Sequence, residues 1–598
     1  MNPTRTQLTA GLAVLAALVL LGAAIGGVAI FSPGDDPGPG PDSDSGAGDH
    51  EQNGLESEVP QEDRPDDPAT TETIGYVDGY WYDDELPVDD RDDAVVESDE
   101  LDAVVARSMA RVELIRNLTF EGEADVDVIS REEYQAEHGD MFANVTGDEH
   151  LQQNVNYEAL FMVDRETDAT DAFESLYGGA VDGFYDPATD EIVLVSDNPD
   201  TPELDEVVLG HELLHALQDQ HFDLRSYDRE TIDQDNAKNG LIEGDAVWVD
   251  TAYEQRCEAD WDCLQPDRIP PAPDDLNWGL YLTMYQPYDD GPDYVDYLLE
   301  QDSWDAVDAA YDDPPASSSE VIRPGDDREP TAIEVEDQSN DEWTQLELDD
   351  DVASESVGEA GMVAMFAGGA FDPQRPTVID RADFVGSEMG YEFDHAITDG
   401  WAGDELVTYV ATNDGETADD ADVDVGDTGY VWQTEWTSTE DASQFADAYL
   451  ELLALYDGES VDDSQDTYVI DDGFPGAYHV EQDDETVTIV RAPTVDDLDA
   501  IDPGAVPGSA EPAGSNSTDS DATTASTTDD QEGAVLAGLD PGFGTVTAVF
   551  VSVALAATGG WLVILRTRAR PRIDSLSPVS GSHGARRVAV AGEKPTKL

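Results

Sequence analysis

Residues 201–224, TPELDEVVLGHELLHALQDQHFDL, constrain the fold more than any other stretch, because they read as a helix with too little polar surface to lie on the outside of a protein. Thr201 is a candidate N-cap, Pro202 fits a first turn where no amide donor is needed, and Glu203 suits the positive end of the helix dipole. Leu204, Val207, Val208, Leu214, His215 and Gln218 recur at three- and four-residue intervals, while Leu209, Leu213 and Leu217 make much of the remaining surface apolar. Burial on most sides is expected. His211 and His215 then share one face, one turn apart, where two imidazoles can reach a single ion, with Glu212 beside the first.

The spacing H-E-x-x-H is a zinc signature in which the two His hold the metal and the Glu is general base toward metal-bound water. With 9 His and 48 Glu in 598 residues, only about 0.01 accidental matches are expected in a chain of this composition, so coincidence is a poor account of it. Two core histidines with satisfied hydrogen bonds are the competing reading.

The flanking sequence supplies the rest of a site. Residues 178–197, GGAVDGFYDPATDEIVLVSD, read as a hairpin whose second strand, 191–196, leads into the helix as its expected edge strand. A polar loop follows at 225–239, and then 241–256, LIEGDAVWVDTAYEQR, has a helical period apart from Gly244. Glu243 shares a face with Val247 and Asp250, which makes it the expected third ligand. His221 is the alternative, but a continued helix turns it about 120° away from His215, at ~100° per residue.

On these residues the segment 178–256 resembles the gluzincin class of zinc metallopeptidases, in which H-E-x-x-H is followed by a Glu on a downstream helix. The resemblance implies an α+β, zincin-like unit made of an edge strand, the H-E-x-x-H helix and a third-ligand helix. It further implies Zn2+ held by His211, His215 and Glu243, Asp250 as a supporting partner, Glu212 as general base, and a peptide or protein substrate. His221 stands at the metzincin ligand spacing, but Gln218 occupies the position of the glycine that class requires, and Met284 in YLTMYQ is a loose match to its methionine turn. His395, in residues 392–409, and Tyr391 just ahead of them are read as core residues, with a place in a cleft shared with the zinc helix as the other possibility.

Composition sets the environment. A formal net charge of −112, from 138 acidic against 26 basic residues, would repel itself in dilute salt. At ~1 M ionic strength the Debye length falls to ~3 Å, so concentrated salt resolves the conflict. Lysine appears only at 238, 594 and 597, and the whole pattern resembles haloarchaeal usage. Nucleic acid is not expected as a partner for such a surface. Cys257 and Cys263 are the only thiols and would form a disulfide in an exported protein. Asn117, Asn144 and Asn516 stand in glycosylation triplets.

The layout is that of a membrane-anchored surface protein. Residues 1–32 hold an apolar run that reads as a signal peptide or N-terminal anchor, and 33–72 form an acidic spacer too polar to bury a core. The zincin-like domain covers 73–335, and a smaller α+β portion covers 340–500, with strands at 406–411, 430–436 and 486–490 and a helix at 442–456. A Ser/Thr/Asp-rich stalk at 501–540 precedes Pro541-Gly542-Phe543 and an apolar run to about 566, which resemble the PGF-type haloarchaeal sorting signal read by an archaeosortase. The basic tail 567–598 continues past that signal, so a plain transmembrane anchor with a cytoplasmic tail is the other reading. Two functions follow: zinc-dependent peptide hydrolysis at the outer cell surface, or an inactive structural or adhesion protein that retains the fold.

Overall fold

A computed structural model describes residues 64–505, except 92, 139–146, 178–180, 182, 267–275, 327–329, 349–350, 373, 387–389, 413–424 and 462–465. The two terminal apolar runs, Asn144, Asn516 and Pro541–Phe543 lie outside the described residues. Among the described residues no helix is long and apolar enough to cross a membrane.

The architecture is mixed α and β. Helix α1, Leu101–Arg116, is buried along almost its whole length and carries three arginines, Arg107, Arg111 and Arg116, inside the protein. A three-stranded sheet follows, with β1 at Asp125–Ser130, β2 at Gly183–Asp186 and β3 at Glu191–Ser196. β3 lies in the middle, parallel to β1 and antiparallel to β2. The strand expected at the edge is therefore central, because β1, distant in sequence, pairs with its outer side. The edge next to the signature helix is β2.

The signature helix, α2, is Glu206–Phe222 and starts four residues later than its sequence suggests, with the N-cap at 205 in place of 201. Thr201 and Pro202 are not helical, because the backbone there pairs with an earlier segment: Val96 N–H donates to the Pro202 carbonyl and Leu204 N–H to the Ala94 carbonyl, each at 3.0 Å. Asp205 is the N-cap instead, accepting from the Val207 amide at 3.0 Å.

Helix α3 runs from Ile232 to Ala259 over 28 residues, absorbing half of the segment read as a polar loop. Its polar residues were misleading because they are buried and partnered rather than solvated: Asp233 accepts from Ser318, and Lys238 donates to the Pro315 carbonyl. Gly244 has a packing reason. A Cβ there would lie 2.4 Å from the carbonyl carbon of Gly291 on helix α4, Trp278–Asp302, so the two helices touch backbone to backbone. Met284 lies within α4, buried in a core, and not in a turn.

The C-terminal portion contains helix α5, Gly358–Ala367, and an antiparallel sheet ordered β6-β7-β8-β5-β4. Its strands are β4 (Trp401–Ala411), β5 (Thr428–Trp436), β6 (Thr467–Ile470), β7 (Gly476–Asp483) and β8 (Thr486–Ala492). Helices α6, Thr439–Leu455, and α7, Val495–Ile501, complete it. Short pieces at Trp343–Gln345 and Ser354–Glu355 pair with β4. Every residue of α5 is buried, and one hydrophobic core runs from Val155, Leu280 and Met284 through α5 to Trp432 and Phe445. The two portions are thus one packed body.

Candidate metal centre

The start of α2 is fixed by a buried carboxylate. Glu206 accepts from Arg111 at 2.5 Å, Arg107 at 3.1 Å, the Tyr253 hydroxyl at 2.8 Å and the Leu264 amide at 3.1 Å. Tyr253 stands on α3, and the Cys257–Cys263 disulfide joins the end of α3 to the segment that delivers Leu264. The two helices are therefore tied at one end, and their facing polar side chains meet one turn further along.

There, His211 Nε2 and His215 Nε2 lie 3.1 Å apart, and Glu243 Oε2 lies 3.4 Å from the first and 3.3 Å from the second. All three residues are buried, and among the described residues they form the one group of this kind able to hold an ion. Ligand atoms ~2.0–2.1 Å from a tetrahedral zinc are about 3.3 Å from one another, so the observed triangle has the spacing such an ion needs.

The outer nitrogens decide the protonation. His211 Nδ1 faces Asp250 Oδ2 at 3.0 Å, and His215 Nδ1 faces Gln218 Oε1 at 2.9 Å. An ionised carboxylate only accepts, and the Gln218 nitrogen is already donating to the Ile242 carbonyl at 2.9 Å, so both Nδ1 atoms are donors. Each Nε2 then turns a lone pair inward, against the other and against a carboxylate oxygen that has no hydrogen-bond donor. Such an arrangement repels itself unless positive charge, a proton on one Nε2 or a metal ion, sits within it.

The electrostatics agree. Burial alone would keep His211 neutral, but its contacts with Asp250 and Glu243 raise its pKa to about 10, and Glu243 raises that of His215 in the same way. Glu243 moves the other way: burial opposes its charge, yet the two imidazoles hold its carboxyl well below the usual range. The centre is a place where positive charge is stabilised. Glu212 differs from all of these. It is fully buried, no side chain bonds either oxygen, and burial lifts its pKa to about 7, against the pull of the two imidazoles and of the Tyr185 amide on β2. A Cβ on Gly183 of strand β2 would lie 3.6 Å from its Cγ, so the edge strand passes directly beside it.

Of the residues singled out in the sequence, the structure brings together His211, His215, Glu243, Glu212 and Asp250. His221 is apart from them, its Nε2 donating to the Thr119 carbonyl at 2.8 Å. Tyr391 stacks on Phe384 with centroids 5.2 Å apart, in an aromatic core. Asn117 is exposed and ends α1 in a left-handed conformation. The sequence reading gives Gln218 a place on the periodic face of the helix but no role at the site, although three residues beyond His215 is the spacing at which one helical side chain reaches another.

A family profile described as a domain of unknown function (DUF8575) matches residues 344–502, the portion that carries α5 and the antiparallel sheet. The metal-centre residues lie outside that match. No curated protein and no solved structure matches the chain.

Proposed function

We propose that this chain is a zinc-dependent peptide hydrolase of the gluzincin kind. The observation that carries the reading is the convergence of two inward Nε2 atoms and one Glu243 oxygen within 3.4 Å of one another, with both outer ring nitrogens facing hydrogen-bond acceptors. Two imidazoles and a carboxylate are a catalytic zinc donor set that leaves a fourth position open. Bound there, zinc would polarise a scissile carbonyl and lower the pKa of a water to ~7.

Glu212 is suited to take a proton from a nucleophilic water and pass it to the leaving amine. No side chain competes for its oxygens, it is not one of the three donors, and a pKa of about 7 allows it to hold or release a proton near neutrality. Among the described residues no strand pairs with the outer edge of β2, which runs alongside Glu212 and would offer backbone groups to an extended peptide. The acidic composition and the terminal apolar runs support a location on the outer surface of a haloarchaeal cell, anchored in the membrane.

The test is the pair Glu212→Gln and His215→Ala, assayed in molar KCl. Glu212→Gln should bind zinc normally and hydrolyse peptides ~10²–10⁴-fold more slowly, the usual worth of positioned acid–base catalysis. His215→Ala should lose metal and activity together. A Glu212→Gln variant as active as the parent, or a parent without zinc, defeats the proposal and favours a structural role.

A further inference from the structure

The helix that carries Glu243 does not hold its own start unaided. The Thr231 hydroxyl caps it locally, accepting from the Gln234 amide at 3.2 Å. The first two helical amides reach into the family-matched portion: Ile232 N–H donates to Glu355 Oε1 at 2.7 Å and Asp233 N–H to the Ser356 carbonyl at 3.0 Å. Such amides have no partner within a helix, and a carboxyl group beside them sits at the positive end of the dipole.

The receiving segment is itself rigidly built. Glu355 is buried, and its second oxygen accepts from Asn156 Nδ2 at 3.0 Å. Asp404 of β4 shapes the next turn, accepting from the amides of Val357 at 2.8 Å and Gly358 at 2.9 Å and from the indoles of Trp401 and Trp432, each at 3.0 Å. Gly358 has φ +70°, and a Cβ on it would lie 2.0 Å from Asp233 Oδ1, so no side chain fits between this turn and α3. The same Asp233 oxygen accepts from the Ser318 amide at 2.9 Å and hydroxyl at 2.6 Å.

Helix α3 is thus seated at its first residues on this turn and gripped again where Gly244 meets Gly291. Glu243 lies about 16 Å along the axis from Ile232, at ~1.5 Å per residue. A regular helix transmits a shift or rotation at its start over that length, because its hydrogen-bonded turns move together.

We propose that the family-matched portion, through Glu355 and the turn 356–358, is the positioning element for the third metal ligand. It sets the height and rotation at which Glu243 meets His211 and His215, with Glu355 acting through the helix and never touching the metal or the substrate. The inference rests on the metal reading above, and it gives the portion of unknown function a task in this chain.

Three full-length variants test it in molar KCl: Glu355→Leu, Glu355→Gln, and Leu498→Ala as a destabilised control in the core of the same portion. Zinc affinity is read by competition with a chelator, and amide hydrogen exchange is read on the metal-free protein. Glu355→Leu should weaken zinc roughly tenfold or more, the scale on which supporting partners act. It should also speed exchange from Ile232 through Glu243 while leaving α2 unchanged. Glu355→Gln keeps an acceptor for the Ile232 amide and should stay within about twofold of the parent, as should Leu498→Ala despite its lower melting temperature. Unchanged zinc affinity in Glu355→Leu, equal weakening in Leu498→Ala, or faster exchange confined to the first turn would each overturn the inference. A parent that binds no zinc sinks the metal reading alone, and the exchange pattern then still decides whether this turn governs Glu243.

Discussion

Gln218 holds His215 by an amide that cannot turn round. Its oxygen receives the ring at 2.9 Å, while its nitrogen lies 2.9 Å from the Ile242 carbonyl and 2.8 Å from the Tyr311 hydroxyl. Tyr311 donates to Asp245 at 2.9 Å, and Arg116 from α1 closes the chain on the same carboxylate at 2.9 Å. The tautomer that presents Nε2 to the metal is therefore fixed by four buried residues, none of which needs to touch an ion.

Gln218→Leu removes the acceptor and leaves a buried ring N–H unpaired. Zinc affinity should fall ~10–100-fold, measured by chelator competition. Tyr311→Phe, which leaves the amide held by the Ile242 carbonyl, should have a smaller effect. Equal affinities for Gln218→Leu and the parent would show that the ring is oriented by something else.

Gly244→Ala should lower both stability and zinc affinity, because the added methyl meets the Gly291 carbonyl carbon at 2.4 Å and the neighbour in the way is backbone. Overpacking of this kind costs about 1–3 kcal/mol when the structure can give, and here the relief is a shift of α3 that carries Glu243 with it. Thermal unfolding and metal titration of the variant would check both consequences. A melting temperature and affinity equal to the parent's would show that the helices separate freely.

Much of the centre was legible because it is written in helical spacing. His211, Glu212 and His215 need only one turn of helix, and Glu243 with Asp250 needs only two more turns of a second one. What stayed hidden lies in contacts between distant segments. Thr201 and Pro202 look like a helix start until the strand-like pairing with Ala94 and Val96 is known. Residues 232–239 look like a loop because Asp233, Asn236, Lys238 and Asn239 are polar, whereas each is buried in the fold. The middle position of β3 depends on pairing with β1, more than sixty residues earlier, which no local pattern encodes. The strands at 401–411, 428–436 and 486–492 are legible as short apolar runs because the sheet is buried on both faces, Leu406, Trp432 and Ile489 on one side and Val407, Val431 and Val490 on the other, and helix α6 because its apolar residues repeat at helical spacing.

Glu355 should give the protein a stability that falls as pH rises. Burial raises its pKa from the ordinary 4.5 to about 8, so in the window between those values the folded state keeps a proton that the unfolded chain has lost. The folded state then binds more protons, and stability declines from about pH 4.5 until it levels above about pH 8. Glu355→Gln resembles the protonated acid and lacks this dependence. Its melting temperature relative to the parent should therefore climb across that window, by an amount worth a few kcal/mol at most. A constant difference between the two proteins from pH 5 to 8 would show that Glu355 ionises normally.

Glu206→Ala separates the buried charges from the halophilic surface. The surface, at −112 overall, is stabilised by salt because screening removes its self-repulsion, and substitutions there should matter less as KCl is raised. Glu206 is different: it is fully buried, and it neutralises Arg107 and Arg111, themselves 0% and 2% exposed, at the first turn of α2. Salt reaches such a group poorly. Removing it leaves two arginines inside the protein with Asp89, on Arg107, as the one remaining carboxylate partner among the described residues. Breaking a buried pair in this way costs ~3–5 kcal/mol. The loss should be nearly the same in ~1 M and ~4 M KCl, whereas a surface exchange such as Asp99→Asn should change its effect between them. Because α2 also loses the link through Tyr253 to α3, the metal site should loosen together with the fold, and zinc should be lost at lower denaturant than in the parent. Full recovery of Glu206→Ala stability at the higher salt would mean that the network is solvent-accessible and that the start of α2 is held by other contacts.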